Sequence, residues 1–137
     1  MGLEDFYRSL FGKDDELKKM EEEIEMWKDT PRYKVGMFFK LVTNGSKLRR
    51  QIINMFEDDK RVNVEDAGEF IMYNRAWFWL QDFNTNDNEW VEALSYYDND
   101  QLSQSLTQSI QYFEEMEEYE KCSKLSSIVG ILKKLGS

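Results

Sequence analysis

One proline, Pro31, stands in the 137 residues of this chain, beside seven glycines. Proline and glycine are the residues that interrupt helices. Long stretches therefore run without a stop signal, and apolar residues recur along them at spacings of three and four. Leu3, Phe6, Tyr7, Leu10 and Phe11 form one such stripe, with Gly12 where a C-cap glycine would end it. Leu17, Met20, Ile24 and Trp27 form a second over about 14–28. Asp14, Asp15 and Glu16 stand at its start, where the helix dipole favours acids. Thr30 and Pro31 then break and restart the chain, with threonine as N-cap and proline at the first helical position.

Residues 33–42 carry two periods at once. Tyr33, Val35, Met37, Phe39 and Leu41 alternate as in a strand. Val35, Phe38, Phe39 and Val42 share one face of a helix. The proline start and the Asn44-Gly45 end favour a helix; a strand turning at Asn44-Gly45 is the alternative. Beyond it, Leu48, Ile52, Met55 and Phe56 read as a helix with Ser46 as N-cap. Asn63 caps the next, which runs to about residue 82 and is apolar over most of its circumference, the pattern of a helix central to a bundle. After a polar connection at 84–88, a short helix carries Trp90, Val91, Leu94 and Tyr97. Asp98, Asn99 and Asp100 end it and cap another with Leu102, Leu106, Ile110 and Phe113. Tyr119, Cys122, Leu125, Ile128, Val129 and Leu132 form the last apolar face. The sequence predicts an all-α fold, one domain over 1–137 and a bundle of six to eight helices.

Several chemistries are excluded by residue type. The chain has no histidine, so Ser-His-Asp and Cys-His catalysis and histidine-containing zinc sites are absent. Its one cysteine, Cys122, cannot form a disulfide within the chain, and it lies on an apolar helix face as a buried thiol would. Asp82, Asn84 and Asn86 open like a calcium loop, but Asp87 stands where the loop needs glycine and Ala93 where it needs a bidentate glutamate. The acidic runs 21–25 and 114–118 point around a helix rather than toward one ion. No glycine-rich phosphate loop is present. The expectation is a non-enzymatic protein with no cofactor and no metal. With no signal-peptide pattern and no apolar run of membrane-spanning length, it reads as cytoplasmic, without a membrane partner.

Charge and aromatics point instead to contact surfaces. The formal net charge is −9, yet residues 31–61 hold eight bases and three acids, while residues 62–100 hold one base and nine acids. Lys40, Lys47, Arg49 and Arg50 form the one basic cluster. It reads as a solvated face, a protein contact or, less favoured, a nucleic-acid contact. Glu65, Asp66, Glu69, Asp82, Asp87, Glu89 and Glu92 are acids that could imitate a phosphate backbone, or simply confer solubility. Aromatics make up 15% of the chain. Trp77, Phe78 and Trp79 cannot all face one side of a helix, so one of the two tryptophans is expected near the surface; with Trp90, Tyr96 and Tyr97 they read as core packing at helical spacing or as a base-stacking or peptide-binding platform. The candidate partner-binding residues are Trp77, Trp79, Trp90, Lys47, Arg49, Arg50, Glu65, Asp66 and Glu69.

Residues 110–132 resemble the UVR helical hairpin, a small module of nucleotide-excision-repair and protease-adaptor proteins. The residues that carry the likeness are Glu118-Tyr119-Glu120-Lys121-Cys122-Ser123-Lys124-Leu125. Tyr119 takes the family's aromatic place, Cys122 and Ser123 its small places and Leu125 its leucine; Ser126 and Ser127 stand where the family usually has Arg-Asp. The resemblance implies an antiparallel hairpin over 110–135, an aromatic that closes the turn, small residues that let the helices approach, and protein-protein contact without catalysis. Such hairpins often pair with themselves, which makes a homodimer one expectation. The whole chain is also loosely similar to small acidic accessory proteins of large tailed bacteriophages. The resulting reading is an accessory protein that docks on a partner protein. The alternatives are an acidic nucleic-acid mimic, phage-encoded in one version, that inhibits a nucleic-acid-binding protein, and a nucleic-acid-binding accessory protein acting through the basic segment 40–50.

Overall fold

The computed structural model describes residues 2, 3, 5, 14–56 and 63–136. Those residues form an all-α bundle, with no strand among them. Helix α1 is Asp14–Lys28, α2 Pro31–Thr43, α3 Gly45–Phe56, α4 Val64–Leu80 and α5 Asn88–Ala93; a 3-10 turn over Leu94–Tyr96 leads to α6, Asn99–Glu115, and α7, Tyr119–Leu135. The stripe expected over residues 3–11, and its end at Gly12, lie outside the described residues except for Leu3.

Local capping chemistry sets most of the starts. The Thr30 hydroxyl accepts from the Tyr33 N–H at 3.4 Å and donates to the Trp27 carbonyl at 2.6 Å, with Pro31 opening α2. Asn63 accepts from the Asp66 N–H at 3.2 Å, Asp87 from Glu89 at 2.9 Å and Asp98 from Gln101 at 2.9 Å. Each side-chain oxygen satisfies a helix donor that has no partner inside the helix. Ser46 is not a cap: α3 begins one residue earlier, and Asn44 alone joins α2 to α3. The Asn44 N–H donates to the Lys40 carbonyl at 2.9 Å, and its own carbonyl accepts from Lys47 at 3.1 Å.

Helix α2 is the hub. It packs on α1, α3, α4, α5, the 3-10 turn and α6. That position explains the double period of its sequence. Val35, Phe38 and Val42 are buried, and Tyr33, Met37, Phe39 and Leu41 are half-buried around the remaining circumference. A helix wetted on few sides is apolar nearly all round, and such a sequence contains strand-like alternation as a by-product. Gly36 and Gly45 permit close neighbours. The Tyr97 hydroxyl lies where a Gly36 Cβ would be, and the Met72 sulfur where a Gly45 Cβ would be.

The centre of the bundle is therefore α2 rather than α4. Helix α4 buries Met72, Ala76 and Leu80 against α2 and α3, but Phe70 and Phe78 on its opposite face are each 59% exposed. Two further apolar stripes are open to solvent. On α1, Met20, Ile24 and Trp27 are exposed; on α3, Ile52 is buried while Met55 and Phe56 are exposed.

Helices α6 and α7 form the antiparallel terminal hairpin, which begins at Asn99 and so is longer than 110–135. Leu102, Leu106, Phe113, Leu125, Ile128 and Leu132 fill its interior. Ser105 and Ser109, both buried, allow the close approach. Their hydroxyls donate back to the Gln101 carbonyl at 3.1 Å and the Ser105 carbonyl at 2.9 Å. Of the small residues expected to face across the pair, Cys122 does so, its thiol 3.6 Å from the Ile110 carbonyl, whereas Ser123 is exposed. Tyr119 does not close the turn; it is 64% exposed. Backbone bonds close it instead, Glu117 N–H to Glu114 carbonyl at 3.0 Å and Glu118 N–H to Phe113 carbonyl at 2.8 Å, with Glu117 at φ 60°. This is the Schellman pattern, with glutamate in the left-handed position that usually holds glycine. At the far end the Asn99 amide donates to the Leu132 carbonyl at 3.0 Å.

Candidate functional site

Helix α4 turns 100° per residue, so Phe70, Asn74 and Phe78 form one ridge and Ile71, Arg75 and Trp79 the next. Together these six side chains line an open groove of about 480 Å³ on the outer face of the helix. Arg75 also lines a second hollow of about 300 Å³, together with Met37, Lys40 and Leu41 of α2, Asn44, and Lys47 and Gln51 of α3. One half of the surface is aromatic and the other cationic. No carboxylate lines either half. Among the described residues, Lys40, Lys47 and Arg75 enter no ion pair.

The rim is fixed by aromatic edges. Trp79 is half-buried, edge-on to Tyr33 at 5.6 Å and to Phe78 at 5.4 Å. Tyr33 in turn meets Trp27 at 4.8 Å, which joins the root of α1 to the groove. Trp77 is half-buried on the other side. Its ring lies edge-on to Phe113 at 6.1 Å, beneath Lys121 at 5.7 Å and Lys124 at 6.0 Å. Lys121 donates to the Asn74 side-chain oxygen at 3.1 Å and pairs with Glu118 at 3.0 Å; Lys124 donates to the Gln81 carbonyl that ends α4. These two lysines join α7 to α4, Lys121 through Asn74, which is itself one of the residues lining the groove.

The expected site residues divide accordingly. The exposed aromatic of the 77–79 run is Phe78, not a tryptophan, and Phe70 was not singled out by the sequence at all. Trp90 is 7% exposed and packs on Phe83 at 5.0 Å in the core. Lys47 and Arg50 are exposed, whereas Arg49 is half-buried and paired with Glu69 at 3.9 Å. That pair sits where α3 and α4 pack together, so the basic and acidic segments meet there. Glu65 and Asp66 are exposed in the first turn of α4. The seven acids considered as a phosphate imitation lie in two groups: Glu65, Asp66 and Glu69 near the start of α4, and Asp82, Asp87, Glu89 and Glu92 beyond its end. The helix between them spans about 25 Å at 1.5 Å per residue. The Asp87 carboxylate caps the start of α5, and Glu89 is exposed in its first turn.

The remaining chemistry is that of a buried framework. Burial pushes the Cys122 thiol above its ordinary pKa, and Glu114 and Glu118 push it further. Burial likewise raises Tyr73, Tyr97 and Tyr112. Tyr73 and Tyr112 stack at 4.5 Å. Among the described residues, no three carboxylates or thiols converge where a metal could bind, and no helix is long and apolar enough to cross a membrane. The chain matches no family model, and neither a curated protein nor a solved structure shows significant similarity to it.

Proposed function

We propose that this chain is a non-enzymatic accessory protein that docks a protein partner on the outer face of α4. The observation that carries this reading is a helix apolar on both faces of which only one is buried. Phe70 and Phe78 stand open on the surface while Met72, Ala76 and Leu80 behind them complete the core. An exposed aromatic patch with a polar rim is the usual mark of a contact surface. Arg75, Lys47 and Lys40 at its side favour a partner segment that carries acids beside its apolar residues.

The test is affinity capture with the wild-type chain and with Phe70→Glu/Phe78→Glu, each with and without nuclease. The double variant keeps its helical circular dichroism, because both rings lie outside the core. A partner held by the wild type through nuclease treatment and released by the variant is the expected result. Equal capture by both chains removes α4 as the docking face. Capture of nucleic acid alone, lost with nuclease, moves function to the basic segment 40–50.

A further inference from the structure

We propose that the α4 face is covered by helix α1 of a second copy of this chain, in a reciprocal exchange that places two α1 helices in two grooves. The proposal rests on the reading of that face as the docking surface and names its occupant.

Helix α1 is an arm. From Asp15 to Lys28 every side chain except Leu17 is exposed. Within its own copy the arm packs at its root on α2. Its apolar side chains nevertheless share one face: at 100° per residue, Leu17, Met20, Ile24 and Trp27 fall within about 80° of one another. Met20 is 39%, Ile24 50% and Trp27 55% exposed. Glu16 and Glu23 flank this stripe on one side and Glu21 on the other. The arm is thus an acidic amphipathic helix whose apolar face is largely exposed among the described residues, with Trp27 meeting Tyr33 at 4.8 Å at its root.

The groove has the opposite charge and the same apolar character. Its aromatic half offers Phe70, Ile71, Phe78 and Trp79, and its cationic half Lys40, Lys47 and Arg75. In a chain of net charge −9, the Arg75 end of this groove, which no carboxylate lines, favours an acidic occupant, and α1 supplies one; the other end, at Phe78 and Trp79, borders Glu25, Asp29 and Asp82. The lengths agree. Leu17 to Trp27 spans about 15 Å and Phe70 to Phe78 about 12 Å along their helices. The ridge Met20–Ile24 can seat between the ridges Phe70–Asn74–Phe78 and Ile71–Arg75–Trp79, the four-residue ridges of one helix in the grooves of the other. Because Trp27, Tyr33 and Trp79 join the arm's root to the groove's rim, an arm that crosses to a partner brings the partner's arm back. The result is a two-fold interface. The terminal hairpin is a poorer seat for self-pairing, since Leu102, Leu106, Leu125, Ile128 and Leu132 are spent on its own interior and Leu135 is the exposed one among its leucines and isoleucines.

The experiment is sedimentation of the full chain over a concentration series to about 0.2 mM, at low and high salt. Two charge-swapped variants accompany it: Glu16→Lys/Glu21→Lys/Glu23→Lys in the arm and Lys40→Glu/Lys47→Glu/Arg75→Glu in the groove. The wild type is expected as a dimer, twice its 16.5 kDa. Each variant alone should dimerise at least about tenfold more weakly, and an equimolar mixture should recover the dimer. Phe78→Glu, on the apolar half, should weaken the dimer without altering a cation. A wild type that stays monomeric at every concentration overturns the proposal. So does a dimer that both swaps and Phe78→Glu leave intact. A monomer that still loses a captured protein on Phe70→Glu/Phe78→Glu keeps the docking reading and removes only the self-partner.

Discussion

Glu117 is the one non-glycine residue with positive φ among the described residues, and it sits at the turn on which the terminal hairpin depends. The left-handed conformation brings the Cβ of an L-residue against the following carbonyl, a cost of about 1–2 kcal/mol that glycine does not bear. Glu117→Gly removes that cost. It also gives the unfolded chain more freedom, which offsets about 0.4–1 kcal/mol. The charge change adds to the gain: Glu114, Glu115, Glu117 and Glu118 gather at the negative end of the α6 dipole, and losing one acid there is worth a few tenths of a kcal/mol. The net expectation is a stabilisation of about 0.5–1 kcal/mol, or about 2–5 °C in Tm for a chain of this size.

Glu117→Ala separates the two causes, because alanine removes the charge and keeps the Cβ. Urea unfolding followed by helical circular dichroism should rank the chains glycine first, with alanine near the wild type. The Schellman bonds from Glu117 and Glu118 to Glu114 and Phe113 need no side chain, so neither substitution disturbs them. If alanine stabilises as much as glycine, charge is the cause and the backbone argument fails. If glycine destabilises, the turn does not hold that conformation in solution.

Leu106, fully buried in the hairpin, should cost about 2–5 kcal/mol on Leu106→Ala, read as a lower urea midpoint. Gly36→Ala drives a methyl into the Tyr97 hydroxyl, which donates to the Arg32 carbonyl at 2.7 Å; a loss of about 1–3 kcal/mol is expected in the same assay. Lys121→Met keeps the stem over Trp77 and Phe113 but removes the bonds to Asn74 and Glu118, and should cost about 1–2 kcal/mol. Alkaline pH should weaken the fold. Cys122, Tyr73, Tyr97 and Tyr112 all have raised pKa values, chiefly through burial, so above pH about 9 the native state holds more protons than the unfolded chain. Stability is then complete below the unfolded values and falls as pH climbs through the native ones. A urea midpoint that stays level from pH 8 to 10.5 would refute the assignment.

What the sequence disclosed was local. Thr30, Asn63 and Asp98 each carry their capping signal within three residues of the bond they make, and the helices they open were legible for that reason. The helical state of 33–42 was half legible, because the feature that settles it, contact with six neighbouring elements, is not in the segment. Two kinds of residue escaped notice for the same cause. Gly45 reads only as part of a helix end or turn, and nothing local marks Gly36, until Tyr97 and Met72 are seen occupying the space beside them. Lys121 and Lys124 stand in the sequence only as neighbours of Cys122, yet they join α7 to α4. The proposed docking face was legible only as a surplus. The Trp77–Trp79 run announced that an aromatic must face outward, but which one depends on the rotation of α4 against α2, and that brings Phe78 out and turns both tryptophans to the flanks.

The surplus also bears on the form of the assembly. Burying an apolar side chain fully is worth about 1.5–3 kcal/mol. Met20, Ile24, Trp27, Phe70 and Phe78 are 39–59% exposed, so each has roughly half of that still to gain. One arm in one groove therefore releases about 4–7 kcal/mol before any cost. Association costs about 4–15 kcal/mol in lost freedom, which a single seat offsets only at the low end of that range. Two seats meet that cost once and double the gain. A reciprocal exchange is therefore the arrangement in which these five side chains, none of them required by the core, make a lasting contact. In the proposed exchange Lys40, Lys47 and Arg75, which enter no ion pair among the described residues, then decide which helix is admitted.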